Sequence, residues 1–193
     1  MTAIVRPGAG LLFMKVGTHA QETLEDIIAR KTREIEQTGH ALWGYGGNTC
    51  HPQSMVQPFA QAFEMRGQTI YLCMHAMTSN HFAEPVRADE FSVDGLKWSP
   101  IPAAINVKGS RYALVIKNLR QEEFELPLDQ TAVAIGRSQG RAGDIYVHGR
   151  VDKACLEVLP GPRLANAGGS PALKINLVAE LVAPFAGYVR NTR

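Results

Sequence analysis

The chain has 193 residues, 45% hydrophobic and 20% charged, with 18 glycines and 11 prolines. These values exclude wholesale disorder and predict many turns and short strands around a sizeable core, not a helical bundle. A net charge of +2 permits nucleic-acid binding without arguing for it, because electrostatic binders usually carry a larger basic excess.

Residues 11–16 are a short apolar run between Gly10 and Gly17, as in a buried strand. Thr18 and Gln21 offer a capping box for a helix over about 20–38. Leu24, Ile27, Ile28 and Ile35 share one face of it, Arg30, Lys31 and Arg33 gather toward its C-terminal half, and Gly39 is a natural stop. Residues 42–52 hold three glycines, Trp43 and Tyr45, and are read as a shaped loop. Pro58 suits the first turn of a short helix reaching about Arg66. Residues 69–76 are rich in β-formers and predict a central strand. The stretch 78–110 is irregular, with a turn signal at Asp94-Gly95. Strands are expected at 112–117, 123–126, 132–135, 145–147 and 154–159, while 173–189 is apolar with a periodicity that fits strand or helix. The last apolar window, 175–187, is broken by Glu180 and Pro184 and is shorter than the roughly 20 residues of a spanning helix.

Cys50, Cys73 and Cys155 are an odd number at wide spacing, and residues 1–10 lack the apolar core of a signal peptide. A cytoplasmic protein with reduced thiols is therefore expected, with no membrane segment. Cys73 and His75 are two apart on a predicted strand and share a face, but no paired-ligand spacing nucleates a zinc site, so neither metal nor cofactor is expected. In the 43–52 segment, glycines allow close backbone approach to a ligand, Trp43 and Tyr45 offer flat faces, and Asn48 suits a base or amide edge. The plainer reading is a tight connection with an aromatic plug, since such rings commonly anchor cores. The segment is neither a Walker A loop nor a dinucleotide fingerprint. Cys50 with His75 or His51 as base is the sharpest catalytic reading, against that of an inert buried thiol. A second glycine-rich turn at 136–143 carries Arg137 and Arg141, which suit phosphate contact or simple solvation.

A strand with Phe13-Met14-Lys15, a helix, Trp43-Gly44, a short helix and then Tyr71-Leu72-Cys73-Met74-His75 after Gly67 resemble the PUA-like superfamily, in particular its EVE and YTH branch. The resemblance spans 11–77. It implies an α+β fold with a mixed or antiparallel β-barrel-like sheet and two or three helices, and a pocket lined by 43–50 and the strand end at 75–80. The domain is expected over 1–159, with a linker at 160–171 and a C-terminal extension, 172–193, packing on it. The expected function is a non-catalytic binding module for a nucleotide, nucleobase or modified nucleic acid. Trp43 and Tyr45 would stack, Asn48, Ser79 and Asn80 would read polar edges beside Cys50 and His75, and Arg137 and Arg141 would meet phosphate. The alternatives are a small cysteine-dependent or nucleotide-acting enzyme using Cys50 and His75, or a protein-interaction or inhibitor protein without a small-molecule pocket.

Overall fold

The computed structural model describes residues 4–17, 22–47, 49–77, 86–147, 151–161 and 172–193. At its centre β1 (Gly10–Gly17) and β3 (Tyr71–Met77) run parallel, from Leu11 opposite Tyr71 to Gly17 opposite Met77. Their consecutive apolar residues follow from burial on both faces of the sheet. Helix α1 (Leu24–Thr38) connects β1 to β2 (Ala41–Tyr45). The expected cap at Thr18 and Gln21 lies outside the described residues. The observed capping box is one turn nearer the helix: the Thr23 hydroxyl accepts from the Asp26 amide at 3.1 Å, and the Asp26 carboxylate accepts from the Thr23 amide at 3.1 Å. Gly39, at φ 82°, ends the helix, and its N–H bonds the Ile35 carbonyl.

The expected loop over 42–52 is corrected in its first part, since Trp43, Gly44 and Tyr45 belong to strand β2. It pairs antiparallel with β6 (Tyr112–Pro127), with Trp43 opposite Leu114 and Tyr45 opposite Tyr112. Gly44 permits the strand instead of breaking it: a side chain there would collide with Ser110 and Val107. A π-helical turn, Pro52–Val56, then leads into α2 (Gln57–Glu64). β4 (Glu90–Ser92) and β5 (Ser99–Pro100) are short. The two strands expected within 112–126 are one long strand, whose register shifts around Asn118 at φ 50°. After β7 (Thr131–Val133), the strand expected at 145–147 is a short helix, α3 (Gly143–Tyr146). Ile145 and Val147 have strand propensity, but the Ala142 and Gly143 carbonyls accept from the Tyr146 and Val147 amides and close a helical turn. β8 (Lys153–Val158) and the long β9 (Ala172–Arg190) complete the sheet.

The order is β2-β6-β9-β3-β1-β8-β7, with β4 pairing β9 and β5 pairing β4. β9 thus lies inside the sheet, between β6 and β3. The fold is α+β and the sheet is mixed. It is not closed into the expected barrel-like form: edges β2 and β7 are unpaired with each other among the described residues. No described helix is long and apolar enough to cross a membrane.

One face of β1 and β3 carries Leu12, Met14, Val16, Leu72 and Met74, packed with Trp43, Tyr45, Cys50 and Leu114 and covered by Phe59 and Phe63 of α2 and by α1. Leu11, Phe13 and Cys73 face the other way, into a second cluster with Leu126, Leu156 and Ile175. A third cluster, with Leu42, Ile105, Val107 and Val115, backs the β2 edge.

Candidate functional site

Where β1 and β2 end, the sheet opens into a cleft of about 880 Å³. Its walls are Met14 to Gly17 of β1, Trp43 to Tyr45 of β2 with Gly46 and Gly47, Ile27, Arg30 and Lys31 of α1, the segment 106–111, and Asp152 and Lys153 before and in β8. Six cationic residues border it (Lys15, Arg30, Lys31, Lys108, Arg111, Lys153) with the acidic Glu22 and Asp152, although Lys15 alternates onto the other face of β1.

Several of these cations are held. Lys31 and Glu34 lie three apart on the apolar stripe of α1, and both are almost fully buried. The Lys31 ammonium donates to both Glu34 oxygens, at 3.1 and 2.9 Å, and to the Asn106 carbonyl at 2.8 Å. Glu34 also accepts from the Asn106 amide at 2.9 Å, and Arg30 donates to the Asn106 carbonyl at 2.6 Å and to Glu22 at 2.9 Å. This network staples α1 to the 106–111 segment, which also lines the cleft. Burial pushes the Lys31 amine down to about 8, opposed by the Glu34 charge. Lys153 is 3.7 Å from Asp152 and 6.0 Å from the centre of the Tyr45 ring. Lys108 and Arg111 are exposed at the rim and have no ion-pair partner among the described residues.

Trp43 lines the cleft while only 5% exposed, so it presents a wall, not a free platform. Tyr45 is 3% exposed and donates its hydroxyl to the Cys50 carbonyl at 2.7 Å. Burial, reinforced by the Cys50 and Cys155 thiols, pushes its phenol well above the ordinary range. Behind it, His51, Tyr112 and Tyr188 meet edge to face. The Ser54 amide approaches His51 Nδ1 at 3.5 Å, while Nε2 lies 3.1 Å from the Tyr188 hydroxyl, which itself donates to Gln53 at 3.0 Å. His51 is thereby committed to holding the π-helical turn against β9.

Of the residues read from sequence, Trp43 and Tyr45 reach the cleft, and Cys50 sits just behind them, lining a small void with Met14, Tyr45 and Lys153. His75 is not brought to Cys50. It pairs with Lys15 on the strand face shared with Cys73, opposite the cluster that holds Cys50, and Nδ1 contacts the Lys174 carbonyl at 2.6 Å. Arg137 and Arg141 are exposed on the 136–141 turn and are not among the cleft residues. Asn48, Ser79 and Asn80 lie outside the described residues. Sequence reasoning missed the cationic lining. A signal was present at Lys31 and Glu34, an opposite-charge pair set among Leu24, Ile27, Ile28 and Ile35, and at Lys153, a charge opening an apolar strand. Compared with known proteins, the chain matches no family model, no curated sequence and no solved structure.

Proposed function

We propose that this protein is a non-catalytic binding module for a nucleotide, nucleobase or modified nucleic acid, and that its fold belongs with the PUA-like group. The observation that carries the reading is the cleft, in which a cationic lining meets the wall formed by Trp43 and Tyr45 and the open backbone of Gly46 and Gly47. Cations there favour phosphate, the aromatic wall favours a flat base, and glycines admit close backbone approach. The order β1, α1, Trp43-bearing β2, α2 and β3 supports the kinship. A binding role is favoured over cysteine catalysis because Cys50 and His75 lie on opposite sides of the sheet and His51 is occupied structurally.

In a Trp98→Phe variant, Trp43 is the single tryptophan and its fluorescence reports the cleft wall. Titration with mononucleotides and single-stranded oligonucleotides is expected to quench or shift it. Replacing Lys108 and Arg111 together with Ala should lower the slope of log affinity against log salt by roughly 1.4 to 1.8. The Arg137→Ala, Arg141→Ala pair, outside the cleft, should change it less. Absence of binding across the panel at low salt would remove the reading.

A further inference from the structure

Behind the glycine-rich wall of the cleft, Cys50 and Cys155 place their sulfur atoms 3.9 Å apart. Cys155 belongs to β8, and Cys50 to the segment after β2, so the contact joins two elements that no strand pairing connects. Cys50 has φ 56°, a left-handed conformation that a residue with a side chain adopts only when its surroundings impose it. The bond from the Tyr45 hydroxyl to the Cys50 carbonyl helps impose it, and the thiol is turned inward toward Cys155. Each cysteine is 1% exposed, yet Gly47 is exposed and Thr49 half-buried, so Cys50 lies directly behind surface chain. Cys73 is buried in the cluster on the other sheet face and cannot join the pair without unfolding.

We propose that Cys50 and Cys155 form a reversible disulfide that latches the chain at Cys50, behind the Gly46 and Gly47 side of the cleft, to β8, with a low-molecular-weight disulfide as the oxidant. Cys50, nearer the surface, loses its proton and attacks one sulfur of the oxidant, whose S–S bond breaks and releases a first thiolate. Cys155, deprotonated in turn, attacks the Cys50 sulfur of the mixed disulfide and releases the second. The two protein thiols are oxidised, the small disulfide is reduced to two thiols, and the two protons end on those products. The sulfurs close from 3.9 Å to about 2 Å, which a small displacement of the wall provides. The hydrogen bond with Cys50, together with burial, raises the Cys155 thiol and makes the exchange slow near neutrality and faster in mild base. The proposal is independent of what the cleft binds.

The test is incubation of the folded protein with oxidised glutathione at mildly alkaline pH, followed by acid quenching, thiol counting in denaturant and peptide mapping. Three free thiols should fall to one, Cys73, with a Cys50–Cys155 linked peptide and no retained glutathione. Amide hydrogen exchange over 46–50 should slow in the oxidised form and recover on reduction. Retention of three thiols, a stable glutathione adduct, a bridge that includes Cys73, or unchanged exchange over 46–50 would each overturn it.

Discussion

Gly44 and Gly140 sit in the two glycine-rich segments and do opposite work. Gly44 lies on a strand with Ser110 and Val107 packed over its Cα, so it saves space; Gly140 closes an exposed turn at φ 81° with nothing within 4 Å of an added Cβ, so it supplies conformation. The cations nearby differ in the same way. Lys31 and Lys153 are buried beside carboxylates at the cleft, whereas Arg137 and Arg141 stand in solvent. The lesson is that a basic, glycine-rich composition forms a cleft only when other parts of the chain enclose it. Here residues as distant as Met14, Lys108 and Lys153 do so for the first segment.

The comparison is broken most directly at Glu34. Glu34→Ala strands the buried Lys31 charge and the Asn106 amide, and is expected to cost about 3–5 kcal/mol in denaturant unfolding. A cost near zero would mean that the α1 staple does not hold the cleft wall. Next comes the response to alkali. The folded Lys31 amine titrates near 8 against an ordinary 10.5, so the folded state binds fewer protons than the unfolded chain in that window, and stability rises with pH from about 8. The Cys73 thiol is pushed up to about 12 by burial, and Cys155 and Tyr45 are raised as well. Above the ordinary thiol value of 9.0 the unfolded chain releases protons that the folded one retains, so stability turns downward. Urea midpoints should therefore pass through a maximum near pH 9, and a monotonic rise to pH 11 would contradict the burial of these groups. The smallest effects separate the two glycines. Gly44→Ala should cost about 1–3 kcal/mol through crowding and also weaken ligand binding. Gly140→Ala should cost about 1–2 kcal/mol through backbone strain and leave binding unchanged. Equal effects of the two variants on binding would erase the distinction.

What could be read from sequence was mostly local. The β1 run, the end of α1 at Gly39 and the central place of β3 follow from short-range pattern, and all three are observed. Trp43 and Tyr45 stand out in the sequence as an unusual aromatic, glycine-rich pair, but not as strand residues, and the structure places them in β2 beside the cleft. Glycine normally weakens a strand, and only the tertiary approach of Ser110 explains why one is tolerated there. Lys108 and Arg111 belong to a stretch without periodicity, and nothing local marks them as a rim. The leucine and isoleucines mark the α1 stripe in the sequence, whereas the Lys31–Glu34 pair on the same stripe does not show itself there, because each charge alone favours solvent.

The placement of β9 has a consequence for how the chain reaches this state. β6 and β3 are not neighbours in the sheet; each pairs with β9 instead. Until residues 172–190 dock, β2 and β6 form one fragment, β3, β1, β8 and β7 another, and the cleft between them has no fixed width. The pairings that join β1, β3, β8 and β9 are long in sequence, as with Leu11 against Leu156 and Leu72 against Ala179. Loop-closure entropy must be met before those contacts contribute, so folding should be slow for the size of the domain and its rate-limiting step should involve β9. Substitutions at Val178 or Ala179, buried where β9 meets β3, are therefore the place to look for slowed refolding, ahead of any change at the cleft itself.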